Sequence, residues 1–130
     1  MKLSDTTVNA VVDDIGARLS GGQLLIFESK PAGTFSEPLV ALQLRSPAFQ
    51  PASRGRAVAA PPQKAEIART GEATYGELVT AAGEVLATLV VAAASSEAAR
   101  DADVLADRTD FHRGGMCESV SIVLRLPMVS

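Results

Sequence analysis

The chain has 130 residues, of which 47 % are hydrophobic, and its formal net charge at pH 7 is −3. This length is that of one ordinary domain, and this apolar content excludes a generally disordered chain. The acidic balance argues against a nucleic-acid binder, because such proteins need a basic surface. We therefore interpret Arg54 and Arg56, the densest basic spot, as part of a solvated loop rather than a phosphate site.

The kind of apolar residue also limits what the chain can do. Aromatic residues make up only 4 % of the sequence and Trp is absent, so we expect a thin core of Ala and Val that gains from association with a partner. Cys117 is the single cysteine, which rules out an intrachain disulfide. The longest apolar run, Leu89 to Ala94, is too short to cross a bilayer, and the first residues lack the apolar stretch of a signal peptide. We expect a soluble protein made in a cytoplasm, with no membrane partner.

The first predicted element is an amphipathic helix over residues 4–19. Five aliphatic residues recur there at helical spacing on one face: Val8, Val11, Val12, Ile15 and Leu19. Ser4 suits the N-cap position, and Gly21-Gly22 ends the helix. A helix with a single apolar stripe must pack on another element.

After the helix, short apolar runs separated by Gly and Pro predict β-strands. In chain order the candidates are Leu24–Phe27, Leu39–Leu44, Ala57–Ala59, Val104–Leu105 and Val120–Leu126. The last run is the clearest, because every second residue in it is a large aliphatic one. That is the period of a strand with one face buried. Gly114-Gly115 predicts a turn before it.

Residues 72–100 fit two patterns. Apolar residues from Leu78 to Leu89 recur at helical spacing, but Gly76 and Gly83 would each cost about 1 kcal/mol inside a helix. The β-branched residues of the same stretch favour strands. The pattern therefore favours a hairpin that turns near Gly83, with a helix as the alternative.

Together these elements predict one short N-terminal α-helix and about six to eight short strands. Strands of this length and spacing are typical of a mainly β fold, either an antiparallel β-sandwich or a jelly roll. We find no internal repeat and no second domain, so residues 1–130 are predicted to form a single β-sandwich domain.

The two most reactive side chains lack the partners that catalysis or metal binding requires. His112 is the only histidine, and we place it at a loop edge. Asp107 and Asp110 are near it in sequence, but their spacing matches no metal motif. Cys117 could act as a nucleophile with His112 as base, but its position at the start of the last strand favours a packed thiol.

The acidic residues predict no site either. Asp13 and Asp14 are adjacent on a helix, so their side chains diverge, and we interpret them as a solvated helix face. A looser acidic group precedes the last strand and is interpreted as a polar turn: Asp101, Asp103, Asp107 and Asp110. It lacks the glycine and terminal Glu of an EF-hand loop. Phosphate loops and nucleophile elbows are absent. We predict no catalytic, cofactor-binding or metal-binding residue, no cofactor and no enzyme activity.

The order of these features resembles a family of small tailed-bacteriophage virion proteins encoded among the head genes. Four stretches carry the resemblance and span nearly the whole chain. They are Val8–Gly16 with Leu24–Phe27 and Pro31–Gly33, then Leu39–Leu42 with Phe49 and Ala52-Ser53, then Thr70–Ala73 with Leu78-Val79 and Gly83, and finally Asp103–Leu105, Asp110-Phe111 and Gly114-Gly115 before the alternating strand. The resemblance implies a β-sandwich or jelly-roll cement (decoration) protein, and a hairpin rather than a helix over residues 72–91.

The resemblance also implies the location and the partners. A decoration protein binds the outside of an icosahedral phage head and bridges major capsid subunits. We therefore expect the major capsid protein and copies of this chain, as a dimer or trimer, to be the partners, and no nucleic acid. Two alternatives stay open: a head–tail completion or tail protein, and a non-viral jelly-roll module that binds sugars or peptides. Such modules usually expose Trp or Tyr, and only Tyr75 is present here.

Overall fold

The computed structural model describes residues 4–28, 37–54, 56–59, 62–93, 102–106, 108–117 and 120–125. Within them the chain forms one helix and eleven strands. The helix α1 covers Asp5–Arg18. The strands are β1 Gln23–Phe27, β2 Val40–Gln43, β3 Arg56–Val58, β4 Ala65–Glu66, β5 Gly71–Glu72, β6 Tyr75–Val79, β7 Val85–Ala93, β8 Val104–Ala106, β9 Asp110–Phe111, β10 Met116–Cys117 and β11 Val120–Arg125. The predicted mainly β class and N-terminal helix are confirmed. The strands outnumber those expected because β4, β5, β9 and β10 contain only two residues each.

Seven strands form one curled sheet in the order β2-β1-β6-β7-β8-β11-β3. Neighbouring strands are antiparallel, except that β7 and β8 are parallel, with Val91 opposite Val104. The antiparallel prediction is wrong for this pair. A tight turn joins only antiparallel strands, whereas ten residues, 94–103, separate β7 from β8, which is longer than a tight turn. The sheet is compatible with the predicted sandwich or jelly roll, which stays a prediction.

Two short ribbons lie beside the sheet. In one, β10 pairs with β4, and in the other β5 pairs with β9. Cys117 was expected at the start of the last strand but lies in the first ribbon, opposite Ala65. The burial of Cys117 and Val120 shows why these two residues do not belong to one continuous strand. Cys117 and Val120 are both buried, and a single continuous strand would point residues three apart to opposite faces.

The inner face of the sheet carries the hydrophobic core. Ala and Val are well represented among its buried residues, as expected, while the largest fully buried side chains are Leu and Ile: Leu19, Leu24, Ile26, Leu42, Leu78 and Ile122. Helix α1 packs on β3 and β11, and Val8, Val12 and Leu19 on the helix are buried. Val11 was expected on the same stripe but is 39 % exposed. It lies about 100° around the helix from Val12, which is outside the buried stripe.

The two ends of the helix are formed in different ways. Ser4 caps the first turn as predicted, because its hydroxyl oxygen accepts a hydrogen bond from the Thr7 N–H at 3.2 Å. After the helix, Gly21 adopts the left-handed conformation with a φ of 77°. Gly22 has another role: a Cβ atom there would lie 2.1 Å from the Val79 carbonyl oxygen. Gly22 therefore permits a close contact between two backbone segments.

The hairpin predicted for residues 72–91 is present. Strands β6 and β7 are antiparallel, and Gly83 in the turn between them has a φ of 93°. The Thr80 and Glu84 backbones are joined by a 2.9 Å hydrogen bond across the turn. The last strand is also confirmed as far as Arg125, and Leu126 lies outside the described residues.

The two adjacent glycines after the helix give a matched pair of variants. We expect Gly22→Ala to lower the free energy of unfolding by about 3 kcal/mol, because the new methyl group collides with backbone that cannot rotate away. Gly21→Ala should cost only about 1 kcal/mol, the strain of a left-handed alanine, since no atom lies within 4 Å of a Cβ at this position. Urea denaturation of both variants measures the difference. Equal losses would contradict the close-approach explanation.

Candidate functional site

His112 is exposed and lies beside an ion pair. Its Nε2 atom is 3.8 Å from Asp110 Oδ2. Arg108 donates two hydrogen bonds of 2.9 Å to the same carboxylate. These hydrogen bonds from Arg108 lower the pKa of Asp110 to about 2. Asp110 is therefore engaged by a guanidinium group, and Asp107, the other neighbour proposed from the sequence, lies outside the described residues.

Cys117 is a packed thiol. Its side chain is buried in the hydrophobic core beside the sheet. This burial raises the pKa of Cys117 from 9.0 to about 11, so the thiolate is a small minority at neutral pH. Across the described part of the chain, no group of three or more His, Cys, Asp or Glu side chains is arranged to hold a metal ion.

The acidic residues have separate partners. Asp14 forms an ion pair with Arg18, one helical turn away, with 3.1 Å between Oδ2 and Nε. Asp13 turns away from it, and its Oδ1 accepts a hydrogen bond of 2.7 Å from the Ala52 N–H. The predicted divergence of these two carboxylates is confirmed, but Asp13 is more than a solvated residue, because it joins the helix to a distant segment.

The other polar residues singled out in the sequence also act locally. Asp103 accepts a 3.2 Å hydrogen bond from the Val90 N–H, while Asp101 lies outside the described residues. Arg54 and Arg56 are both exposed, but only Arg54 lies in a loop, because Arg56 begins strand β3. Arg54 has a φ of 55° in the turn where Ser53 and Arg56 exchange backbone hydrogen bonds.

The feature that sequence reasoning missed is a row of side chains across the outer face of the sheet. Residues opposite one another in register point to the same face. The register places Phe27 opposite Tyr75, Tyr75 opposite Val90, and Val123 opposite Val58. Asp103 connects the two halves of the row, because its N–H donates to the Val90 oxygen and its oxygen accepts from the Val123 N–H. We call this set the outer row: Phe27, Tyr75, Val90, Asp103, Val123 and Val58.

The outer row is apolar except for Asp103, and most of it is accessible, although Phe27 is buried. Val90 is 52 % exposed and Val58 is 46 % exposed, while Tyr75 and Val123 are half-buried. The Phe27 and Tyr75 rings pack against each other with centroids 6.0 Å apart. Burial, followed by the charge of Glu77, raises the pKa of Tyr75 above its ordinary value. Tyr75 is therefore a neutral phenol throughout the physiological pH range.

Two further sets of aligned side chains lie on the same face, one on each side of the outer row. On one side Leu25, Glu77 and Thr88 are aligned across β1, β6 and β7. On the other side Ala92, Leu105 and Ser121 are aligned across β7, β8 and β11. A sequence signal for this surface exists in β7, where the run Leu89–Ala93 is apolar at every position rather than at alternate ones. Such a run indicates a strand with apolar residues on both faces.

The chain itself covers both edges of the sheet. At the β3 edge, the Gln50 N–H donates to the Val58 oxygen at 2.9 Å, and Ser53 pairs with Arg56. At the β2 edge, the Ala68 N–H donates to the Leu39 oxygen at 2.8 Å, and the Gln63 N–H donates to the Gln43 oxygen at 3.0 Å. Edge strands with occupied backbone groups do not readily accept another chain. Two of the exposed large aliphatic side chains among the described residues, Val58 and Val90, lie on the outer face.

A scan of protein-family models, a search of curated proteins and a search of solved structures each found no significant match to the chain. Among the described residues no helix is long and apolar enough to span a membrane.

The buried thiol gives a test that depends on pH. We expect Cys117 to react with Ellman's reagent at pH 8 far more slowly in the native protein than in denaturant, because burial raises its pKa to about 11. The thiol also affects stability. In the unfolded chain it ionises near its ordinary pKa, so between about pH 9 and pH 11 the folded state binds more protons and loses about 2 kcal/mol of stability as the pH rises. The Cys117→Ala variant should lack this loss. Equal native and denatured reaction rates would contradict the assignment.

Proposed function

We propose that this chain is a structural module that acts by packing its outer face against other proteins, as a phage capsid decoration protein does. The single observation that carries the proposal is the outer row, in which Val58 and Val90 are both about half-exposed on one sheet face. Large aliphatic side chains grouped on an accessible surface are typical of protein–protein contact sites. The resemblance in the sequence supports the choice of a capsid as the partner.

The size of the outer face supports a role that depends on many copies. The outer row crosses six strands, a width of about 24 Å at about 4.8 Å per strand. The outer row is about 7 Å deep along the strands, and each flanking set adds a strip about 10 Å wide and about 7 Å deep, so the face covers about 300 Å². A stable interface covers about 800 Å² on each partner, so one contact of this size is weak. A decoration protein compensates through multivalency, because each copy is held by several subunits of a lattice.

The mode of contact follows from the sheet edges. A partner cannot extend the sheet easily at β3, whose edge is bonded to segment 50–53, and at β2 the oxygens of Leu39 and Gln43 at the two ends of the edge are already bonded to a loop of the same chain. Side-chain packing on the outer face is then the contact that this geometry favours. Packing of this kind needs no free strand edge. The proposed partners remain the major capsid protein and further copies of this chain as a dimer or trimer on the capsid exterior.

Two valines in the same strand test whether the outer row is the contact surface. Val90 and Val85 are exposed to similar extents, 52 % and 47 %, and lie about 17 Å apart along β7. Val90→Lys should weaken both self-association, measured by sedimentation velocity, and cosedimentation with phage heads by at least about tenfold, because a charge replaces an apolar contact. Val85→Lys should leave both unchanged. Identical behaviour of the two variants would contradict the proposal.

Copy number separates decoration from the alternative head–tail role. Electron microscopy of intact particles should show roughly hundreds of copies of this chain on the head surface, as an icosahedral lattice requires. A single ring of copies at one vertex would instead assign it to head–tail completion. Particles without the chain would overturn the virion role while leaving the Val90 measurement of self-association informative.

A further inference from the structure

A second candidate site lies on the helix side of the sheet, away from the outer face. It is a cleft of about 390 Å³ between the second half of α1 and the segment 47–51. The helix contributes Asp13, Gly16 and Ala17 to its lining, and Ser20 follows the helix. The facing segment contributes Pro47, Phe49, Gln50 and Pro51.

The cleft is built by hydrogen bonds at its two ends. At one end the Ala48 N–H donates to the Ser20 hydroxyl at 3.3 Å, and at the other the Ala52 N–H donates to Asp13 Oδ1 at 2.7 Å. The same segment is bonded to the sheet, because the Gln50 N–H donates to the Val58 oxygen. The segment is therefore held on both sides, and the cleft is present before any partner arrives.

Gly16 sets the shape of the cleft. A Cβ atom at this position would lie 3.3 Å from Phe49 Cβ, which is closer than ordinary van der Waals contact. The missing side chain lets the Phe49 ring lie directly against the helix backbone. Pro47 and Pro51 flank the ring, so the wall opposite the helix is apolar.

The charge that lines the cleft is negative. Asp13 is the single charged residue among those that line it. One of its carboxylate oxygens accepts the hydrogen bond from Ala52, and among the described residues the other has no hydrogen-bond or ion-pair partner. Arg18, the cation in the last turn of the helix, is engaged by Asp14. An apolar wall beside an anionic group is complementary to an aliphatic chain that ends in a cation.

The geometry points to this cleft as a receptor for an arginine or lysine side chain of a partner protein, with the aliphatic stem against Phe49 and the cationic head on Asp13. The partner is a protein rather than a free small cation because the cleft is open and its rim residues, including Pro47, Pro51 and Ala17, are exposed. A side chain held in place by a surrounding interface can use such a shallow site, whereas a small molecule buries too little surface there. This site does not depend on the outer face or on the capsid role.

The test is a nuclear magnetic resonance titration of the full chain with n-butylguanidinium. We expect saturating amide shifts at Gly16, Ala17 and Gln50 with a millimolar dissociation constant, and no such shifts with butyrate. Asp13→Asn should weaken binding about fivefold, because the amide oxygen can still accept from Ala52 but the charge is lost. Asp14→Asn is the matched control: it removes the same charge one residue away and should leave the affinity unchanged.

A capped Gly-Arg-Gly peptide distinguishes the source of the cation. Binding at least as tight as that of n-butylguanidinium supports a partner side chain, and clearly weaker binding overturns it. The absence of saturating shifts at tens of millimolar, or equal weakening by Asp13→Asn and Asp14→Asn, overturns the site itself. The native amide spectrum of each variant shows that it is folded, so a loss of binding reports on the cleft.

Discussion

An open seven-stranded sheet has two edges, and the need to satisfy the backbone groups on those edges shapes the rest of this molecule. Segment 49–53 is bonded to β3, and segment 63–69 is bonded to β2. The first of these also forms the wall of the cleft beside α1, and the second continues into β4 and its ribbon with β10. Because the loops bond to the edges, the outer face of the sheet and the cleft beside α1 are the surfaces considered for partners. The surfaces proposed for partners therefore follow from how the edges are covered.

The sequence predicted those elements that depend on neighbours along the chain. The alternation in β11, the cap at Ser4 and the turn at Gly83 each rest on a few consecutive residues, and each is present. The sequence did not predict which distant residues pair with one another. The parallel alignment of β7 with β8 and the ribbon that holds Cys117 depend on where separate segments meet, and short-range periodicity carries no information about that.

For the candidate site, too, the sequence predicted what depends on single residues and not what depends on contacts between distant segments. Reasoning from single residues placed His112 at an exposed edge and treated Cys117 as a packed thiol, and the geometry agrees with both. It treated Asp13 as solvated, because the partner that fixes it, Ala52, is 39 positions away. The outer row was missed for a related reason: each member comes from a different strand, so the row exists only once the register is known. The apolar run in β7 was its one local signal.

The position of β11 has a consequence for how the chain folds during synthesis. Strand β3 joins the sheet through β11, with Ala57 opposite Leu124, so β3 pairs with a strand that is made more than sixty residues later. Helix α1, which packs on β3 and β11, likewise lacks part of its packing surface until then. The nascent chain must therefore carry an exposed apolar helix face until residues 120–125 leave the ribosome. Folding of this kind is slow and open to aggregation, which makes chaperone assistance valuable to this protein in the cell.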